Sequence, residues 1–236
     1  MYKRTVQNKL SFVGERLMRG RHKIHPYPAM LHPLLVDFLL EKYANKNDVV
    51  FDPFCGSGVT LLQSSVKGHK SIGFDINPLA LLIAKVKTQQ YTIRDLKKEF
   101  SDLKNKIINN RKVDIPDVKN IDYWYIKDVV RDLGRIRYVL KNSNYKYKDF
   151  FVTTFAFVCR NQSLTRNGEF KRYRIKAEKI NSVENKVLDN FFKHTEEMIE
   201  EFDKSDNPQQ DSKPLLANSE NKIDKNIKYN LVITSP

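Results

Sequence analysis

The sequence predicts an α/β protein built on a parallel, doubly wound sheet, and three observations carry that expectation. Short β-prone runs alternate with helical periodicity between residues 34 and 87. The first such run leads into a glycine-bracketed turn, Asp52-Pro53-Phe54-Cys55-Gly56-Ser57-Gly58, that opens a helix. The second run ends in Asp75, and Asn77-Pro78 follows as a helix start, with Asn capping and Pro at the first helical position. A β-α-β-α order of this kind places its ligand at the carboxyl ends of the strands.

The elements follow in order. Residues 1–28 hold Lys3, Arg4, Lys9, Arg16, Arg19, Arg21 and Lys23 against Glu15 alone, and read as an extended basic arm ending in the Pro-rich string HPYPAMLHP. Residues 29–90 make the βαβα part. Leu34, Leu35, Phe38 and Leu39 set a first helix and Asn45–Asp48 a turn. Val49–Phe51 form a strand, Val59–Lys67 a helix closed by Gly68, and Ser71–Phe74 a second strand. Residues 91–204 read as a mainly helical insertion, with amphipathic patterns over 92–140 and 183–202 and a basic, aromatic stretch between them. Residues 205–236 return to the sheet through the polar linker SDNPQQDS and two β-like runs, around 215–217 and over 229–234.

Length and composition narrow the function classes. The 236 residues suffice for one sizeable core with an insertion. Lys plus Arg number 42 against 28 Asp plus Glu, a formal charge of +14, which suits a phosphate-bearing partner. With Cys55 and Cys159 alone there is no disulfide framework or zinc cluster, and a reducing cytoplasm is expected. The apolar run Phe150–Cys159, interrupted by two threonines, is too short to span a bilayer. No metal is implied.

The glycine loop lets backbone N–H groups approach a nucleotide-like ligand closely. A phosphate-cradling loop needs a Gly-Lys-Ser/Thr ending, which is absent, and a dinucleotide loop carries a third glycine where Leu61 stands. DPFCGSG followed by GFDINPLA instead resembles the cofactor motifs of S-adenosylmethionine-dependent amino-group DNA methyltransferases. That resemblance implies a Rossmann-like methyltransferase sheet and S-adenosyl-L-methionine as cofactor. It assigns Asp52, Pro53, Phe54, Gly56, Ser57 and Gly58 to the methionine moiety, Asp75 to the ribose hydroxyls, and Ile76, with Asn77 beside it, to the adenine. His25, Tyr27 and Pro28 match the family motif that closes over the methionine end of the pocket.

NLVITSP resembles the start of the family's catalytic Ser-Pro-Pro-Tyr motif. By that resemblance the Ser235 hydroxyl and Pro236 carbonyl are catalytic, accepting protons from an exocyclic base amine so that its nitrogen can attack the sulfonium methyl. The target base must leave the duplex for this. Ser at 235 favours cytosine N4 over adenine N6. C5 methylation would need a Pro-Cys thiolate that the two cysteines do not supply. The chain stops inside the motif, so a sheet lacking its C-terminal strands, with apolar surface along that flank, is expected. So is an enzyme incomplete without a C-terminal half, either a split enzyme with a second polypeptide or a truncated product.

Two departures stand out: Ala217-Asn218-Ser219 replaces the usual Gly-Asp-Ser, making Asn218 the candidate adenine contact, and Asn230 replaces an Asp before the catalytic strand. Arg160, Arg166, Lys171, Arg172, Arg174 and Lys176 surround Phe170 and Tyr173, a pattern for phosphate contacts with stacking or for a solvated loop. The expected function is a site-specific DNA methyltransferase of a restriction-modification system acting on double-stranded DNA. The alternatives are an adenine-N6 enzyme, a non-catalytic nucleic-acid-binding subunit with a vestigial pocket, an RNA guanine-N2 methyltransferase and, remotely, a nicotinamide dehydrogenase.

Overall fold

The computed structural model describes residues 10, 12, 14–166, 173–220 and 227–235. The chain divides into two compact units, one comprising Met1–Lys23, Ala29–Gln90 and Asp206–Pro236, the other Ile24–Pro28 and Tyr91–Ser205.

The first unit is the α/β unit. Helix α1 (Pro33–Tyr43) starts with Pro33 at its first position and the His32 ring accepting the Leu34 N–H. Strand β1 (Val49–Asp52) leads through the glycine loop into α2 (Val59–Val66). Gly68, at φ +85°, ends α2 in a Schellman motif: its N–H donates to the Ser65 carbonyl at 3.1 Å, and that of His69 donates to the Ser64 carbonyl at 2.9 Å. Strand β2 (Lys70–Asp75) precedes α3 (Pro78–Thr88), capped by the Asn77 side chain on the Leu79 N–H as the sequence predicts.

Strands β3 (Ser212–Leu216) and β4 (Leu231–Val232) complete a four-stranded sheet of order β3-β2-β1-β4, parallel throughout. β3 begins three residues earlier than the sequence suggests, where Ser71 donates its hydroxyl to that of Ser212. The expected polar linker is not loose: Gln209 N–H donates to the Ser65 carbonyl, Gln90 Nε2 to the Pro208 carbonyl, and Ser71 N–H to the Asp211 carbonyl. Val36, Leu40, Val50, Val59 and Ile233 form a core cluster between α1, the sheet and α2.

The described end of the basic segment before residue 28 departs from an extended arm. Gly20–Ile24 is a short 3-10 helix, and Arg21 and His22 are buried. The Arg21 guanidinium donates to the carbonyls of Lys87 (3.0 Å) and Gln89 (2.7 Å) and to Asn207 Oδ1 (2.7 Å), so it caps the C-terminal end of α3. Orphan carbonyls and the negative end of a helix draw a cation inward, which a count of charges along the chain does not register.

The second unit is helical: α4 (Ile93–Asn109), α5 (Ile121–Trp124), α6 (Lys127–Lys141), α7 (Lys148–Asn161), a 3-10 helix (Ala177–Ser182) and α8 (Val187–Lys204). α4 buries Leu96, Phe100, Leu103 and Ile107, an i, i+4, i+7, i+11 stripe. α7 falls in the stretch the sequence leaves without a regular element. The Thr153 and Thr154 hydroxyls donate to the carbonyls of Asp149 and Phe151, which lets two polar residues lie buried inside it. Tyr91, Tyr147, Phe150 and Phe202 pack edge-on or tilted around its start. Among the described residues no helix is long and apolar enough to cross a membrane.

Candidate cofactor and catalytic site

In the order β3-β2-β1-β4 the chain moves from β1 to β2 on one side and returns to β4 on the other. The boundary between β1 and β4 is therefore a topological switch point, and a crevice for a ligand opens at the carboxyl ends there. The glycine loop leaves β1 at that place, and Ser235 lies just past β4.

Asp52, ending β1, is buried and accepts the Phe54 N–H at 3.1 Å. Burial pushes its carboxyl above the ordinary range, while hydrogen bonding from the Thr234 side chain and the Phe54 backbone pulls the other way. Asp75, ending β2, accepts the Gly56 N–H at 2.9 Å through one oxygen and the Asn77 N–H at 2.8 Å through the other. The carboxylate thus fixes the loop across the strand ends. An ionised carboxylate offers about four lone-pair positions, so two remain for a vicinal diol.

Gly58 caps α2 at φ +76°, and a Cβ there would meet the Ala84 Cβ at 2.6 Å. This close approach draws α3 against the loop. Phe54 and Ile76, at the ends of neighbouring strands, keep 49% and 71% of their surface exposed. Large apolar side chains thus stand open beside backbone donors and a carboxylate, a platform that could hold a ligand with both apolar and polar parts.

Past β3 the chain runs beside this platform. Ala217 N–H donates to the Asp75 carbonyl at 3.2 Å, and the Ser219 hydroxyl donates to the Pro53 carbonyl. Asn218 is exposed, and its amide donates to Glu220 Oε2 at 3.4 Å. Glu220 is a carboxylate that sequence reasoning missed. The signal was an acid two positions beyond the substituted Asp.

β4 pairs Leu231 with Val50 and Val232 with Phe51. Asn230 replaces the expected Asp without loss of pairing, because its N–H donates to the Val49 carbonyl and its Oδ1 accepts the Val49 N–H. Ser235 is exposed, one residue beyond the Thr234 that reaches Asp52. Pro236 lies outside the described residues. Of the flank expected to be bare, Val232 and Tyr229 remain partly exposed.

Asp52, Pro53, Phe54, Gly56, Ser57, Gly58, Asp75, Ile76, Asn77 and Asn218 thus come from one compact unit. His25, Tyr27 and Pro28 belong to the other, where His25 is buried, sets its Nδ1 2.8 Å from the Pro26 carbonyl and turns its edge to Phe157. Met30, from the same Pro-rich string, is in the first unit and accepts the Ser57 hydroxyl at its sulfur, 3.2 Å away.

Lys87 was also missed. It is fully buried and donates to Ser57 Oγ at 3.1 Å. Burial drives the Cys55 thiol well above its usual range and Cys159 up to about 12, so neither is a ready thiolate. His194 is a core residue of the helical unit, stacked on Phe157 at 3.6 Å. Of the basic stretch, Phe170, Lys171 and Arg172 lie outside the described residues, while Arg174 stacks on Tyr123 at 4.2 Å. Among the described residues no group of His, Cys, Asp and Glu could hold a metal ion.

Part of this chain has counterparts among known proteins. Residues 4–86 match the DNA methylase family of N6 and N4 enzymes. The Type II methyltransferase M.MvaI of Kocuria varians is 32% identical over 197 residues, covering 78% of this chain and 43% of that one. M.MjaII of Methanocaldococcus jannaschii is 48% identical over 85 residues, 36% of this chain and 16% of its own. M.BamHI of Bacillus amyloliquefaciens is 35% identical over 77 residues, 33% and 18% respectively. The chain spans less than half the length of each of these relatives. No solved structure matches. The segment that carries the glycine loop and Asp75 thus matches the amino-group DNA methylase family.

Proposed function

We propose that this chain binds S-adenosyl-L-methionine on the platform between Phe54 and Ile76 and serves methyl transfer to an exocyclic amine of a base in double-stranded DNA, cytosine N4 by preference, in a restriction-modification system. The observation that carries the reading is the meeting, at one switch point, of the Asp75-fixed glycine loop with the strand β4 that leads to Ser235. The family match and the Type II relatives support it.

In this reading the loop N–H groups and Asp52 hold the methionine end. Asp75 uses its remaining lone pairs for the ribose hydroxyls, and Ile76 covers the adenine, with Asn218 and Glu220 at its amine. The bound cofactor supplies an electrophilic methyl on sulfur. The Ser235 hydroxyl, with Pro236 after it, accepts a hydrogen bond from the base amine, which otherwise shares its lone pair with the ring. The net charge of +14 supplies the attraction to the phosphate backbone.

Calorimetric titration with S-adenosylmethionine tests the cofactor assignment. Binding by wild type that is lost in Asp75→Ala supports it, and an unchanged affinity in Asp75→Ala refutes it. Transfer of tritiated methyl groups to duplex DNA, resolved by nucleoside chromatography, tests the target. Label in N4-methylcytosine that Ser235→Ala abolishes is expected. Label in N6-methyladenine, or in RNA guanine, would overturn the choice of base or substrate.

A further inference from the structure

Lys87 sits in the last turn of α3 with no exposed surface. An ammonium has three protons to donate, and among the described residues the one polar partner it has is Ser57 Oγ at 3.1 Å. Burying a charge is costly unless a counter-charge accompanies it, and the groups around this one are basic. Arg21 binds the Lys87 carbonyl, and His22 is held neutral partly by the Lys87 charge. Arg19 and His32 add further positive field at His22. The nearby carboxylate of Asp37 is engaged by Gln63 Nε2 and Arg19.

Ser57 in turn lies in the loop that opens α2, next to the cap Gly58, where the positive end of an eight-residue helix adds to the same field. A cation buried beneath a helix N-terminus is unfavourable by itself. An anion seated on the loop would reverse the sign of both interactions. The amino-acid end of the cofactor proposed above carries a carboxylate.

We infer that Lys87 is a positioning residue which, acting through Ser57, sets the affinity of the glycine loop for the carboxylate of its ligand's zwitterionic amino-acid end. The inference rests on the cofactor reading of the loop. Lys87 does not touch the ligand: it fixes the Ser57 side chain from behind and supplies the charge that the ligand's carboxylate answers. An ordinary packing role for Lys87 would affect every ligand alike. A charge role affects the ligands that carry the carboxylate.

The experiment titrates wild type, Lys87→Met and Ser57→Ala with S-adenosylhomocysteine and with 5′-deoxy-5′-methylthioadenosine, which shares the nucleoside and thioether but lacks the amino-acid end. Lys87→Met should lose about tenfold or more in affinity for the first, while the second changes by less than about twofold; Ser57→Ala should lose less, in the same pattern. Should Lys87→Met not fold, the wild type serves. Between pH 6 and 8.5 Lys87, lowered by burial to about 7, discharges while His22 stays neutral and Arg21 charged, so the preference for the amino-acid-bearing ligand should shrink. Equal losses for both ligands, or none, with no pH-dependent preference, overturn the inference while the cofactor reading stands. Failure of wild type to bind either nucleoside overturns both.

Discussion

Replacing Gly58 with Ala tests how the glycine loop is locked onto α3. The residue sits at φ +76°, where a side chain costs about 1–2 kcal/mol. Its new Cβ would also meet the Ala84 Cβ at 2.6 Å and Cα at 2.9 Å. Backbone of a packed helix gives way poorly, so overpacking adds about 1–3 kcal/mol. The expected loss is therefore roughly 2–5 kcal/mol. Gly68→Ala is the internal control, because it shares the left-handed backbone, at φ +85°, but its Cβ would find only Gln209 Oε1 at 3.7 Å. It should lose the backbone share alone, about 1–2 kcal/mol.

Urea unfolding followed by circular dichroism measures both, comparing midpoints at a common slope. The double variant Gly58→Ala, Ala84→Gly removes the 2.6 Å contact while leaving the Cα at 2.9 Å, so it relieves part of the clash and should show a favourable coupling of about 1 kcal/mol. A Gly58→Ala variant no less stable than Gly68→Ala, or a coupling near zero, would refute the contact as the cause.

Two further outcomes follow from the buried cations. His22 is lowered to about 3 and Lys87 to about 7. In each case the unfolded chain binds the proton more readily, so stability rises with pH across roughly 3–6.5 for the first and 7–10.5 for the second, at up to about 1.4 kcal/mol per unit for each group. Unfolding free energies measured across pH should show both limbs, and His22→Gln should flatten the acid one; an unaltered acid limb would show that other groups produce it. Arg21→Lys keeps the charge but cannot reach three acceptors from one planar fork. It should cost about 2–4 kcal/mol by leaving buried carbonyls unpaired, read as a lowered thermal midpoint, and a midpoint within a degree of wild type would sink the capping role.

The α/β order and the loop were legible because local chemistry determines them. Asn77-Pro78 and Gly68 are self-contained start and stop signals, and the acids ending β1 and β2 stand beside them in the chain. What escaped was set by distant partners. Ser71 extends β3 back to Ser212, 141 positions away, and Arg21 is pulled inward by α3. Thr153 and Thr154 break an apolar pattern that their own backbone bonds repair. Lys87 was legible in principle, since Ala80, Ile83, Ala84 and Lys87 share the buried face of α3, but a lysine at that spacing is ordinarily read as an exposed end. Met30 reaches the loop by a tertiary route that no spacing rule encodes.

The sheet order also carries a timetable. β1, α2 and β2 are joined by short connections, so the loop and Asp75 can find each other soon after that stretch emerges from the ribosome. β4 must pair with β1 across a separation of about 180 residues, with the helical unit made in between, and closing so large a loop is slow. The glycine loop and Asp75 should therefore be in place before the segment carrying Ser235 arrives, and a ligand held by them would act as the template on which the last strand docks.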